Sequence, residues 1–501
     1  MLWDYIVVGG GLAGSVVSNR LLEQDSSLNI LLVEAGINAN DRQDIVWPNS
    51  TNGQFGEFDW AYSSEPQANL NNRVLASNSG KGLGGGTLIN GAFWVRGHTV
   101  EYNEWADLVD DQRWSFQGQL PYMRKTEAFF TDDTDLEQHG LNGNVKIQSR
   151  TSTNRSFPMR EPLLESWDVL GVTQLPRLDG NAGQPVGIAE AQENRNQGRR
   201  QQTSLVYSLD GITVLTETLV SKVITSKNSK GVITTKGIQL SNGTKIYGKE
   251  TILSAGAYRT PQILLLSGIG PAATLKQHKI PVYDWGLDID FITTLSVPKQ
   301  GLAAAIAEDE GATPDPESHP LLNQDRAHVS HTVQYSGVST DGSAVMMLTL
   351  LLASQSHGSV TISSTDISDP PVIDANFLST AVDRYAMREG LRHDIELLTS
   401  NKTVVGREII SGERHDEPLT VASSDEEIDA RIREATGGCF HPSGTAAMGK
   451  VVDTKLRVKG VSSLRVIDTS VFPLSISANL QVATYALAEQ AAVILKETRQ
   501  S

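Results

Sequence analysis

Cysteine is nearly absent: Cys439 is the only one in 501 residues. An intrachain disulfide and a cysteine-based metal site are therefore excluded. None of the ten histidines stands in an HExxH pattern, so the usual zinc-hydrolase spacing is missing, and no metal site is read. Basic residues are outnumbered, 42 against 58 acidic, for a net charge of −16. Such a chain repels phosphate backbones, and its one tight basic cluster is Arg199-Arg200; no nucleic-acid role is expected. No apolar run approaches the ~18 residues of a membrane span. The longest, over 344–353, is interrupted by Thr349 and suits a buried strand. A GxSxG elbow is lacking, which disfavours a serine hydrolase. Asp4 interrupts the first apolar run, so no signal peptide is read, which favours a cytoplasmic over a secreted protein. What remains is a chain with 39% apolar residues, about 46% once glycine is counted and tyrosine left out, which is ordinary for a soluble globular protein, and long enough for roughly two to four domains.

Tyr5-Ile6-Val7-Val8 is a short apolar run that ends in Gly9-Gly10-Gly11-Leu12-Ala13-Gly14. Apolar residues at helical spacing follow (Ala13, Val17, Leu21), then a second apolar run over 29–33 that stops at Glu34. The pattern reads strand, glycine turn, helix, strand. Gly9 permits the tight turn, Gly11 lets backbone approach a pyrophosphate, and Gly14 lets the helix pack closely on the strand. The helix N-terminus offers N–H groups to phosphate charge. Glu34, twenty residues past Gly14, is placed to accept a ribose hydroxyl. Dinucleotide binding is predicted, and this stretch alone does not separate NAD from FAD.

Residues 80–97 read Gly-Lys-Gly-Leu-Gly-Gly-Gly-Thr-Leu-Ile-Asn-Gly-Ala-Phe-Trp-Val-Arg-Gly, with five glycines in the first seven. Such a loop lets a flat ring or a second phosphate come close to main chain. The apolar residues after it (Leu88, Ile89, Phe93, Trp94) argue against a solvated linker. With these two loops the chain resembles the glucose–methanol–choline (GMC) family of FAD-dependent oxidoreductases. Asp59-Trp60-Ala61-Tyr62 and Glu65-Pro66-Gln67 precede the second loop in the family's order. Residues 251–270 look like its second signature, 356–377 like its substrate-domain strands, and 437–492 like its C-terminal flavin segment.

The resemblance implies an α/β protein. A Rossmann-like FAD-binding domain (1–150, 196–285, 435–501) is joined to an antiparallel-sheet substrate domain (151–195, 286–434), both discontinuous in sequence. It implies cofactor contacts at Gly9, Gly11, Leu12, Ala13, Gly14, Glu34, Ala35 and Trp60. In the second loop it adds Gly82, Gly84, Gly85, Thr87, Leu88, Asn90, Gly91 and Ala92. Farther on it adds Val220, Gly256, Asp468, Asn479, Leu480 and Gln481. Some members tether FAD through a loop histidine; Ile89 stands at that place, so non-covalent FAD is expected.

Near the C-terminus, Gly438-Cys439-Phe440-His441-Pro442 is followed thirty-eight residues after His441 by Asn479. The resemblance matches His441 to the family's active-site histidine and Asn479 to the second catalytic position. It matches Asp468 to the acid that holds the flavin's ribityl–phosphate region. Oxidising an alcohol removes the hydroxyl proton and passes the α-hydrogen as hydride to flavin N5. Imidazole titrates near neutrality and can take that proton, while an amide can hydrogen-bond the developing alkoxide. Asn479 also reads as the N-cap of the apolar-periodic run that starts at Val482. Cys439 reads as a small buried residue, and His328 and His331 as core or surface rather than pocket.

After Ile280-Pro281-Val282 the family's Asn-Leu…Asp-His element is missing; Tyr283-Asp284-Trp285-Gly286-Leu287-Asp288 stands instead. A reduced early substrate domain near 286–325 is expected, with 300–324 a polar loop or partly disordered segment. The implied activity is FAD-dependent oxidation of a small or mid-sized organic alcohol, with a natural-product intermediate in view. Dioxygen or a quinone- or dye-type acceptor takes the electrons. The alternatives are non-redox, lyase-like chemistry on the same fold and a non-catalytic flavoprotein.

Overall fold

The computed structural model describes residues 2–47, 56–129, 135–149, 151–153, 155–270, 289–335 and 343–500. The segment where the sequence departs from its family, 283–288, lies outside the described residues.

The strand Trp3–Val8 is buried from Tyr5 onward and Ile30–Val33 is buried throughout, as strands covered on both faces require. They pair in parallel, with Val7 opposite Leu32, and Lys245–Leu253 pairs in parallel on the other side, with Val7 opposite Ile252. Thr213–Leu215 and Leu464–Val466 extend this parallel part beside Ile30–Val33 and Lys245–Leu253. Val220–Lys227, Ile233–Leu240 and Lys245–Leu253 form an antiparallel meander that completes a mixed eight-stranded sheet.

The helix Leu12–Gln24 packs against the last helix, Gln481–Gln500. Their contact carries a buried charge cluster. Arg20 Nε donates to Glu489 Oε1 (2.8 Å), Lys125 Nζ to Oε2 (2.7 Å), and the Tyr207 hydroxyl to Oε1 (3.0 Å). The two ends of the chain thereby share one core. Among the described residues no helix is long and apolar enough to cross a membrane.

A second sheet is antiparallel, in the order Met346–Leu351, Val329–Gln334, Phe291–Leu295, Gly187–Glu190. The helix Ala381–Thr399 lies on it and has its own apolar core, separate from that of the mixed sheet. His328 and His331 are both buried here. His331 Nδ1 lies 2.7 Å from Asp394 Oδ1 of the covering helix, so this histidine is a core group.

One expectation is corrected. Part of 300–324 is not a loop: Lys299–Glu310 is an α-helix that buries Leu302, Ala305 and Ile306. Those three residues share one face at spacings of three and four, and that face packs on Ala381–Thr399. Gly311 closes the helix in a left-handed conformation, φ +70°. The polar and proline-containing residues that suggested a loop begin only after this cap.

Candidate active site

The first glycine turn is built by close approach. Gly9 has φ +101°, and a side chain there would put Cβ 2.3 Å from the Ser254 carbonyl oxygen. At Gly14 a Cβ would lie 2.0 Å from the Gly9 oxygen, which fixes how near the helix sits to the strand. The helix begins at Leu12 after Gly11, with no side-chain cap and no acid in its first turn. Its leading N–H groups, at Leu12, Ala13 and Gly14, thus face outward without an internal anion. Glu34 is buried at the end of the second strand; Oε2 accepts Gly10 N (2.7 Å) and Oε1 accepts Gly36 N (2.8 Å), flanking Ala35. Burial pushes this carboxyl up from its ordinary value, against those hydrogen bonds.

The second loop lies across the first. Gly84 N donates to the Gly10 oxygen (2.8 Å), and a Cβ on Gly85 would come within 2.7 Å of Gly11 Cα. Gly82 packs on Ile37, and Thr87 Oγ1 donates to the Gly84 oxygen (2.7 Å) while Leu88 is buried beside it. Past Gly91, Ala92 takes a positive φ and its N–H donates to Asn90 Oδ1 (3.2 Å). Asn90 Nδ2 reaches Gln481 Oε1 (3.4 Å), the first residue of the last helix, and Asn194 Nδ2 reaches the same oxygen (3.2 Å).

Two groups here escaped the sequence reading: Asn194 and Arg200. Arg200 donates to the oxygens of Ile45 (2.9 Å), Thr87 (3.2 Å) and Asn90 (2.6 Å) and to Asn90 Oδ1 (2.8 Å), bolting the loop in place. The Arg199-Arg200 pair is visible in the sequence, but nothing local says that one of the two turns inward.

Asp468 is buried and saturated by protein donors: Gly256 N (2.9 Å), Thr260 Oγ1 (2.6 Å), Ser470 N (2.9 Å) and Ser470 Oγ. It pins the start of the helix Gly256–Leu266 rather than presenting a free carboxylate. Val220 is buried where its strand begins. Trp60 stacks on Tyr62 with centroids 5.8 Å apart, between Arg259 at 4.2 Å and Lys81 at 4.9 Å, so its described contacts are those of an aromatic–cation cluster.

Whether these residues fit FAD can be tested on the space they leave. A Cβ at Gly11 would meet only Gly85 Cα, at 3.7 Å, and one at Gly86 or Gly256 would meet nothing within 4 Å. Uncapped N–H groups begin the helix beside Gly11, whose first turn holds no acid that would repel a pyrophosphate, and the nearby carboxylates of Glu34 and Asp468 are taken up by protein donors. The donor set and the shape fit the cofactor.

His441 and Asn479, thirty-eight residues apart, are brought together: Asn479 Nδ2 lies 3.4 Å from His441 Nε2. Each is stitched to the cradle. Thr445 Oγ1 donates to the Ala257 oxygen (2.7 Å) in the first turn of Gly256–Leu266, and Asn479 and Leu480 lead straight into Gln481. The helix starts at Gln481, and the Leu480 oxygen accepts its first bond, from Thr484 N (3.0 Å). Asn479 therefore sits one residue before the N-cap position, and its amide faces His441 instead of closing the helix.

His441 is open to solvent yet surrounded by protein on its other sides, as at the floor of a cleft. Burial opposes charging its ring, but the charge and hydrogen bond of Cys439 outweigh this and hold its pKa above the ordinary value. Conversely, burial raises the Cys439 thiol, and His441 brings it below its ordinary value. Cys439 is not the buried residue expected from sequence; it is exposed in the same cleft. Phe440 between them has φ +57° and is 37% exposed, and Leu474 is 38% exposed.

Comparison with known proteins identifies the family. Two models described as GMC oxidoreductase match residues 3–282 and 354–488. The GMC-type oxidoreductase acuG of Aspergillus aculeatus is 32% identical, over 98% of this chain and 99% of its own. An oxygen-dependent choline dehydrogenase of Citrobacter koseri is 30% identical over 98% and 95%. Among solved structures, Aspergillus oryzae formate oxidase shares the fold with a TM-score of 0.84 at 24% identity, over 99% of this chain and 98% of that one.

Proposed function

This chain belongs to the GMC oxidoreductase family, an FAD-dependent family acting on alcohol-like donors, and from that premise we propose that it oxidises the C–OH group of an uncharged, largely apolar alcohol. The observation that carries the reading is the 3.4 Å approach of Asn479 Nδ2 to His441 Nε2 on an open cleft floor joined to the nucleotide cradle.

FAD, when bound, supplies the acceptor for the α-hydrogen as hydride. The cradle residues Gly9–Gly14, Glu34, Gly82–Ala92, Gly256 and Gln481 would hold it. His441 Nε2 takes the hydroxyl proton. The Asn479 amide donates to the oxygen that loses it, and so fixes the carbinol between the two side chains. Cys439, which hydrogen-bonds the ring, stabilises the imidazolium that results.

The substrate class follows from the surroundings. Cys439 acts on His441, Phe440 between the two presents an exposed apolar ring, and exposed Leu474 and Ser475 stand in the segment that leads to Asn479. An apolar flank of the substrate would find the exposed Phe440 ring next to His441. A natural-product intermediate of mid size fits that description.

Anaerobic mixing with benzyl alcohol, 1-octanol, glucose, choline and formate tests the reading. Bleaching of the flavin by the uncharged apolar alcohols is expected, and His441→Ala should slow it by about 10²–10⁴-fold with FAD still bound. Turnover without bleaching would mean lyase-like chemistry, and an unaltered rate in His441→Ala would overturn the assignment.

A further inference from the structure

The helix Thr99–Val109 follows directly on the second glycine loop, and its first turn is closed by a capping box. Val100 N donates to His98 Nδ1 (3.1 Å), and His98 N donates to Glu101 Oε2 (3.3 Å). For a cap this is enough, and the acid of a capping box is ordinarily left at the surface. Here Glu101 is only 2% exposed. Its Oε2 also accepts Ser477 N (2.9 Å) and Ser477 Oγ (2.8 Å), from a segment 376 residues away. Four residues on, along the same face, Trp105 Nε1 donates to the Leu474 oxygen (3.1 Å).

Both ends of the segment 474–477 are therefore gripped by one helix, and Asn479 comes two residues later. Burying a carboxylate is unfavourable, and desolvation pushes Glu101 up to about 7 despite its hydrogen bonds. Its other oxygen is buried with no partner. Capping alone does not require that burial; holding the Ser477 backbone does.

We infer that Glu101 is a positioning residue for Asn479: by binding the Ser477 N–H and hydroxyl it sets the amide at its distance from His441. This rests on the role given to Asn479 above. Glu101 touches no reacting atom, and its effect passes through the 474–479 segment.

The test is a double-mutant cycle on the holoenzyme, read as the rate of anaerobic flavin reduction by the fastest alcohol of the panel. Glu101→Ala should slow reduction by about 10–100-fold, with apparent substrate affinity within about twofold and FAD content retained. Glu101→Gln, which keeps an acceptor oxygen, should recover most of the rate. In an Asn479→Ala background Glu101→Ala should add nothing further, because the two act as one unit. Hydrogen exchange at amides 474–480 should accelerate in Glu101→Ala.

A slowed Asn479→Ala beside an unaltered or fully additive Glu101→Ala, or unchanged exchange, overturns this inference alone. An Asn479→Ala that reduces flavin at the normal rate removes the premise and the inference with it. Should Glu101→Ala fail to fold, Ser477→Ala deletes a single donor and carries the same prediction at about 2–5-fold.

Discussion

Cys439 and His441 share the cleft floor, and the state of one bears on the other. His441 can accept a proton only when neutral. Burial lowers its affinity for a proton, and Cys439 raises it by more. The rise of kcat/KM with pH should then come later than the ~6.5 of a free imidazole would give. Cys439→Ala removes the raising partner and leaves the burial, so the rise should move to lower pH while the plateau rate stays within about tenfold. A pH profile of kcat/KM for the two enzymes decides this; a midpoint that stays put or moves up contradicts it. Residue type and spacing could not give this pairing. A lone cysteine beside an aromatic residue reads as a small apolar filler, and the left-handed turn at Phe440, φ +57°, decides which side chains share the cleft.

At the scale of elements, the strand–turn–helix at the N-terminus was legible because it is governed by local backbone sterics. Gly14 shows the balance. An alanine there would gain about 1 kcal/mol of helix propensity. Its Cβ would also lie 2.0 Å from a carbonyl oxygen, so the helix must withdraw from the strand. The steric effect wins. Gly14→Ala is expected to cost about 1–3 kcal/mol in denaturant unfolding. It should weaken FAD binding to the apoprotein by at least about tenfold, or 1.4 kcal/mol; titration giving an unchanged Kd would show the contact to be slack. Two other elements were read less well. Lys299–Glu310 was hidden because its buried face is only Leu302, Ala305 and Ile306, and it runs straight into a polar, proline-containing stretch. The last helix starts at Gln481, later than an Asn479 cap would place it, because the Asn479 amide is turned toward His441 and Leu480 takes the cap position.

In the whole molecule, the cradle draws on Gly9–Gly14, Glu34, the 82–92 loop, the Gly256 helix and Gln481, so it closes only when both ends of the chain are in place. A ligand bound there links segments that are far apart in sequence and should stabilise the fold as a unit. With FAD at about 100 times its Kd, the gain over apoprotein is about 2.7 kcal/mol, read as an increase in Tm. Ile89, half-buried against the core around Leu88 and Phe58, offers no nucleophile for a covalent link. Acid precipitation should therefore release all the flavin into the supernatant; yellow pellets would contradict the non-covalent reading.

Sequence by itself determined the glycine turns, the paired strands and the identity of the chemical groups, because backbone sterics and apolar periodicity act over a few residues. Its likeness to a known family extended that reading to His441 and Asn479. Tertiary structure alone decided which groups meet. Asn479 finds His441 across 38 residues, Glu101 finds Ser477 across 376, and Arg20 finds Glu489 across 469. Such contacts depend on how sheets and helices stack in three dimensions, and separation along the chain carries no record of that distance.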